Sequence, residues 1–199
     1  MKINEIELVG DQDFSIDKVK YYLSLSSPIN TLEKFVLYYL EQNDDRVLIL
    51  VDDDKNIAAY TMFKIWNNGK VWQARNAQTF SPYKGQQLAG KLYRYVKEVL
   101  HKSIQSDTEQ SQSARQLWIN TLPSLGLKPM IFDTKTELVL DPSDHPHIDV
   151  YRQYGDSRDF QYTWIIEHRD HYPQQNLLSE HSLAMPVQGL WNRFNNTKG

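Results

Sequence analysis

The chain has 199 residues, 40% of them hydrophobic and 12% aromatic, and carries a formal charge of −3. That length and composition suit one folded domain with its own core and exclude a disordered chain. The slight acidity leaves no electrostatic footprint for nucleic acid or an anionic membrane, and the absence of cysteine excludes disulfides, thiolate nucleophiles and cysteine-bearing metal sites.

The N-terminus, Met1-Lys2-Ile3-Asn4-Glu5, lacks the apolar core of a secretory signal, and no apolar run reaches the ~18–20 residues of a membrane span. With the missing cysteine, this points to the cytoplasm. Residues 3–9 are expected to form a short strand. Residues 14–26, with Phe14, Ile16, Val19, Tyr22 and Leu23 in helical register, are expected to form a helix that ends before Pro28. Asn30 followed by Glu33 resembles a capping box, and Leu32, Phe35, Val36, Tyr39 and Leu40 predict a second helix.

Arg46 to Asp52 reads as a buried strand, Asp53 to Asn56 as a turn and Ile57 to Trp66 as the next strand. Asn67-Asn68-Gly69 is a hairpin signal, because Asn and Gly accept positive φ, and Lys70 to Phe80 completes a three-stranded meander. A loop, Pro82 to Gln87, then leads into an amphipathic helix with Leu88, Leu92, Tyr95, Val96 and Val99 on its core face and Lys91, Arg94, Glu98 and Lys102 toward water.

Residues 104–114 are polar and read as a surface linker. Leu117 to Asn120 is expected to be a core strand, Met130 to Leu140 a hairpin, 148–154 a short helix or turn, and Phe160 to Glu167 a strand. The tail after residue 169 is polar and broken by proline, with a helix expected over Val187 to Phe194. The fold class is therefore α/β or α+β, built on a mixed, largely antiparallel sheet flanked by helices.

The junction Thr79-Phe80-Ser81-Pro82-Tyr83-Lys84-Gly85-Gln86-Gln87-Leu88-Ala89-Gly90 carries the chemistry. A strand passes through a short Gly-bearing basic loop directly into a helix. Free backbone N–H groups and a partial positive charge at the helix N-terminus suit an anion such as pyrophosphate. A plain surface turn is the competing reading. The histidine pairs His145/His147 and His168/His171, and His181 nearby, have metal-like spacing but no acidic or cysteine partner to complete a set, so surface histidines are expected and no metal. Asp52-Asp53-Asp54 lacks an EF-hand frame and reads as a turn. Trp66, Trp72, Trp118 and Trp164 are all expected in strands.

The element order and this loop together resemble the GNAT superfamily of acyl-CoA-dependent N-acyltransferases. Tyr83, Lys84, Gly85, Leu88, Ala89 and Leu92 fall in register with that family's loop tyrosine, basic residue, first glycine, isoleucine, Gly/Ala position and helix leucine. Lys84 stands where Arg or Gln is usual, Gln87 occupies the central glycine position, and Pro82 is one place away from the usual proline. The resemblance implies a GNAT-like domain over residues 1–168, with 169–199 as a C-terminal extension, and acetyl-CoA or another acyl-CoA as cofactor. It places pantetheine along Gln78, Thr79 and Phe80, pyrophosphate on Lys84, Gly85, Gln86, Gln87, Leu88, Ala89 and Gly90, and Asn120 near the cofactor.

The acceptor implied is the amine of a small molecule or a protein, with no nucleic acid and no membrane partner and with oligomeric state open, a homodimer included. Two segments compete for the family's tyrosine acid, in the pattern Tyr-x-x-hydrophobic-Gly. Tyr151, four residues before Gly155, needs an insertion of about 25 residues; Leu122-Pro123-Ser124-Leu125-Gly126 lies nearer but has leucine in place of tyrosine. The reading adopted is Tyr151. The strand before the loop offers no carboxylate base, since Gln73, Arg75, Asn76 and Gln78 are non-acidic. A GNAT-shaped binding or regulatory protein without catalysis is the alternative.

Overall fold

A computed structural model describes residues 16–66, 69–151 and 161–168. The expected strand over 3–9, the helix over 187–194, the extension 169–199, most of the Asn67–Gly69 turn, His171 and His181 lie outside them. The chain runs through α1 (Ile16–Leu25), β1 (Ser27–Leu32), β2 (Phe35–Gln42), β3 (Asp45–Val51), β4 (Ile57–Trp66), β5 (Val71–Thr79), α2 (Leu88–Glu98) and β6 (Ser103–Gln105). A helical run follows: α3 (Gln112–Gln116), a π-helical turn (Leu117–Thr121) and α4 (Leu122–Ser124). β7 (Met130–Asp133), β8 (Val139–Leu140) and β9 (Tyr162–Ile166) complete it.

The strands form one mixed sheet in the order β1-β2-β3-β4-β5-β6-β9-β7-β8, antiparallel at every neighbouring pair except β5 with β6. Both faces of its central strands are buried. Leu48, Leu50, Phe63, Trp72 and Ala74 pack under Leu88, Leu92, Tyr93 and Val96 of α2 and under Trp118 and Leu122. Val47, Ile49, Val51, Tyr60 and Met62 pack on the other face under Val19 of α1.

That two-sided burial overturns the second helix expected after Asn30. Phe35 and Leu37 enter the α2-side core while Leu40 enters the α1-side core, which is a strand's alternation and not a helical stripe. Glu33 adopts φ 56° and closes the β1–β2 turn instead of capping a helix. β3, β4, β5 and α2 stand where the periodicity puts them, except that α2 ends at Glu98 and leaves Val99 exposed instead of on the core face.

Two further expectations are corrected. The polar stretch 104–114 is not a loose linker: Ile104 is fully buried in β6, and Ser103, Ser106 and Gln110 are buried beside it. Their polar atoms complete the sheet. Gln105 Nε2 donates to Thr163 Oγ1 at 2.9 Å, and the Trp164 N–H donates to Ser106 Oγ at 3.1 Å. Leu117 to Asn120 is helical, because Trp118 and Leu122, four residues apart, share one buried face. Ser111 starts the run by accepting the Ala114 N–H at 3.2 Å. Trp118 is thus a helical core residue, packed edge-on against Tyr93 with ring centroids 5.8 Å apart.

Leu92 is fully buried between α2 and the sheet. Leu92→Ala is expected to cost about 2–5 kcal/mol in urea unfolding, through lost transfer energy and the cavity left behind.

Candidate active site

β6 stays beside β5 for three residues, pairing Val71 with Ser103, Trp72 with Ile104 and Gln73 with Gln105. β5 then continues to Thr79 while the chain leaves β6, so, among the described residues, 74–79 have no strand partner on that side. A bulge marks the divergence: Met62 faces Asn76 and Phe63 faces Ala74, leaving Arg75 as the extra residue. The outcome is a slot between β5 and the segment after β6, leading down from the N-terminus of α2.

The hydrogen-bond phase of β5 decides which backbone groups line the slot. The Phe80 N–H donates to Ala58 O at 2.9 Å on the β4 side. Antiparallel alternation then turns the groups of Gln78 and Asn76 toward β4 and those of Ala77 and Thr79 toward the open edge. Of Gln78, Thr79 and Phe80, only Thr79 therefore presents backbone to the slot, and Ala77, absent from the sequence reading, joins it. The Phe80 ring stacks on Tyr60 in the α1-side core.

The loop is held from below. Tyr83 is buried edge-on against Phe35, centroids 5.8 Å apart, and its hydroxyl donates to the Asp52 carboxylate. Asp52 also accepts the Asn56 N–H at 2.7 Å, so the aspartate run is a turn that anchors the loop. The Tyr83 hydroxyl is the main reason the Asp52 carboxyl lies below its ordinary range, and the same bond raises the Tyr83 hydroxyl. A cis peptide joins Ser81 to Pro82.

Lys84, Gly85, Gln86 and Gln87 are exposed at the mouth. Gly85 has φ 86° and Gln87 φ 56°, both in the left-handed region. A side chain at Gly85 would meet nothing, but the φ itself favours glycine.

Gln87 precedes α2 without capping it; its side chain donates instead to Ser124 Oγ at 3.2 Å. The first amides of α2 thus receive no side-chain cap from Gln87, and the first turn holds no acidic residue. Leu88 is fully buried and Ala89 partly so, so the N–H groups of these two residues, not their side chains, are what an anion would meet. Gly90 has a packing role: a Cβ there would stand 2.7 Å from Leu125 Cδ1 and 2.9 Å from Thr121 Cγ2. Lys91 pairs with Glu33 at 2.7 Å and Arg94 with Glu98 at 2.8 Å, which leaves Lys84 as the basic side chain of the loop with no ion pair among the described residues.

Asn120 is not at a strand end beside the slot. It lies exposed on the helical run, bonded one turn back to Gln116. The segment laid against the loop is Leu122 to Gly126, with Leu122 fully buried and offering no hydroxyl. The Tyr151 ring lies under the Arg115 guanidinium at 4.7 Å, and its N–H bonds Asp149 Oδ1 at 2.9 Å; no described contact joins it to the loop.

The sequence reading missed Asp107, two residues beyond β6. Its Oδ1 accepts Arg75 Nη1 at 3.1 Å across the slot and the Thr108 N–H at 2.7 Å. Burial raises its carboxyl above the ordinary range, against the opposing pull of Arg75. Tyr93, buried behind it, has its hydroxyl raised by burial, with Asp107 adding to the effect. Only the carboxylate within a polar run signals Asp107 in sequence; its partner is 32 residues away.

His145 and His147 are ring neighbours at 6.0 Å, and His101 Nδ1 lies 3.1 Å from His168 Nε2. No group of three or more metal-ligating side chains occurs among the described residues. No helix among them is long and apolar enough to cross a membrane.

No family model and no curated protein matches the chain. Solved structures similar to it include an acetyltransferase assigned to the GNAT family from Bacteroides thetaiotaomicron, 14% identical over 76% of this chain and 81% of that one, with a TM-score of 0.40. A spermidine N-acetyltransferase from Vibrio cholerae in complex with CoA and spermine is 13% identical over 63% of this chain and 67% of that one, TM-score 0.37. A dodecameric structure of spermidine N-acetyltransferase from the same organism is 10% identical over 68% and 71%, TM-score 0.39.

Two outcomes test the geometry. Gly90→Ala is expected to destabilise by about 1–3 kcal/mol in denaturant, because Leu125 and Thr121 occupy the space of the new methyl. The depressed Asp52 carboxyl contributes stability above the ordinary carboxylate pKa and loses it as pH falls through the folded value. Tyr83→Phe removes the main cause, so the variant's urea midpoint is expected to fall less than the parent's between pH 6 and roughly pH 3.

Proposed function

We propose that the chain is an acyl-CoA-dependent N-acyltransferase that transfers an acyl group, acetyl the simplest, to an amine. The single observation that carries the reading is the slot: among the described residues β5 has no partner on its β6 side beyond Gln73, and it leads through the loop into a helix N-terminus that Gln87 leaves uncapped. An extended arm bearing amides finds strand partners at Ala77 and Thr79, and a pyrophosphate finds the N–H groups of Leu88 and Ala89 beside Lys84. The loop residues Tyr83, Gly85, Leu88 and Ala89 also fall in register with the GNAT pattern, from which Pro82, Lys84 and Gln87 depart.

The chemistry asks for a neutral amine, stabilisation of an oxyanion and a proton for the leaving thiolate. Backbone N–H groups on the open edge of β5 serve the oxyanion. The acceptor is a small-molecule or protein amine, and a cytoplasmic location belongs to the same proposal. Leu122, which takes the place of the family tyrosine if the nearer of the two competing segments is the match, favours a second reading, a binding protein of this shape without turnover.

Calorimetry with acetyl-CoA tests the proposal. The parent is expected to bind, and Lys84→Glu to bind about 10-fold more weakly, with a gap that narrows at high salt. Thr79→Pro deletes an N–H that faces the slot and is expected to weaken binding by a similar factor, whereas Lys55→Ala on the β3–β4 turn changes nothing. A parent that binds no acyl-CoA sinks the proposal; binding without turnover over a broad amine panel selects the second reading.

A further inference from the structure

We infer that Asp107 is the carboxylate that receives the acceptor amine, binding it as an alkylammonium and carrying its proton to the thiolate, with Arg75 as its positioning residue. The inference rests on the acyltransferase reading and assigns both proton transfers: the base that β5 lacks, and the acid for which Leu122 offers no hydroxyl and Tyr151 makes no described contact with the loop.

The argument is first geometric. β5 runs from the mouth of the slot at Thr79 to the bulge at Arg75, four residues and roughly 13 Å. An acyl arm entering past α2 along this edge ends near Arg75. Arg75 reaches across the gap to Asp107, whose loop begins where β6 ends. The pair therefore spans the inner end of the slot.

The bonding around Asp107 is one-sided. Oδ1 takes Arg75 Nη1, the Thr108 N–H and, at 3.4 Å, the Thr108 hydroxyl. Oδ2 takes none of the described hydrogen bonds and is left for a donor that enters the slot. The side chains are only partly screened, 20% exposed at Asp107 and 34% at Arg75, so a small amine reaches them. Among the described residues, the ionisable groups facing this carboxylate are Arg75 from β5 and Tyr93 from α2; the tyrosine is neutral at physiological pH. Burial holds the Asp107 carboxyl above its ordinary range, which makes it a better proton acceptor than a surface aspartate.

The step balances as follows. One ammonium proton passes to Oδ2 and frees the nitrogen lone pair. That pair forms the C–N bond at the thioester carbonyl, and the carbonyl electrons move to oxygen. A second nitrogen proton leaves to water. The oxyanion collapses, the C–S bond breaks with its pair on sulfur, and the proton on Asp107 passes to that thiolate. Amide, free thiol and one proton result, and the carboxylate is restored.

The test uses the full chain, acetyl-CoA or CoA, and n-butylamine as the plainest alkylammonium. Calorimetry with CoA comes first. Equal affinity in the parent and Asp107→Asn keeps the acyl-CoA site apart from this inference, while a parent that binds no CoA overturns both. Titrated into the CoA complex at pH 7, n-butylammonium is expected to bind Asp107→Asn at least about 10-fold more weakly than the parent. In the transfer assay, parent kcat/KM rises with pH through an inflection that Asp107→Asn lacks. The variant falls by about 100-fold or more with KM for acetyl-CoA unchanged, and Asp107→Glu recovers part of the loss. Equal amine affinity in parent and variant overturns the inference. So does absence of amine binding by the parent complex, or a variant that loses thermal stability yet keeps the parent's pH inflection, the mark of a purely structural ion pair.

Discussion

The site depends on one interrupted pairing. β6 runs parallel to β5 for three residues and then leaves it, so, among the described residues, 74–79 of this central strand have no partner on that edge. Unpaired backbone groups beside a core are costly unless something satisfies them, and a strand edge is a template for any extended chain of amides. Two local features hold the strands apart. The extra residue at Arg75 bends β5, and the buried Ser106 hydroxyl takes the Trp164 N–H and the Gln110 amide, which fixes the chain after β6 to β9 and not to β5.

An open edge alone would bind nothing well, and the second requirement is a helix N-terminus fixed at its mouth. Three struts hold it there. Tyr83 ties the loop down to Asp52 in the β3–β4 turn, Lys91 ties α2 to Glu33 in the β1–β2 turn, and Gly90 lets α2 lie against Thr121 and Leu125. Each strut joins residues distant in the chain. Their combined effect is to fix the start of α2 against the sheet, so that on the acyltransferase reading proposed above little entropy would be lost in ordering it around a ligand.

Legibility followed the range of the interactions involved. The meander β3–β5, the loop and α2 were readable because hydrophobic alternation, helical periodicity and glycine are local signals. β2 was misread as part of a helix because its apolar side chains enter the cores on both faces and leave no polar side to betray its period. β6 looked like a linker because its serines and glutamines are satisfied by β9, some sixty residues away. Leu117 to Asn120 was an apolar run too short to separate strand from helix, and the Ser111 cap that decides the matter lies outside it. Asn120 lost its expected place beside the slot for the same reason.

By itself the sequence determined that a strand meets a helix through a basic, glycine-bearing loop, because each part of that statement rests on neighbours in the chain. Only the tertiary structure decided which amides face the opening, since the hydrogen-bond phase of β5 depends on its register with β4. It also brought Asp107 across to Arg75. No reading of local pattern contains that contact, because the two side chains meet only after β6 has paired with β5 and turned away.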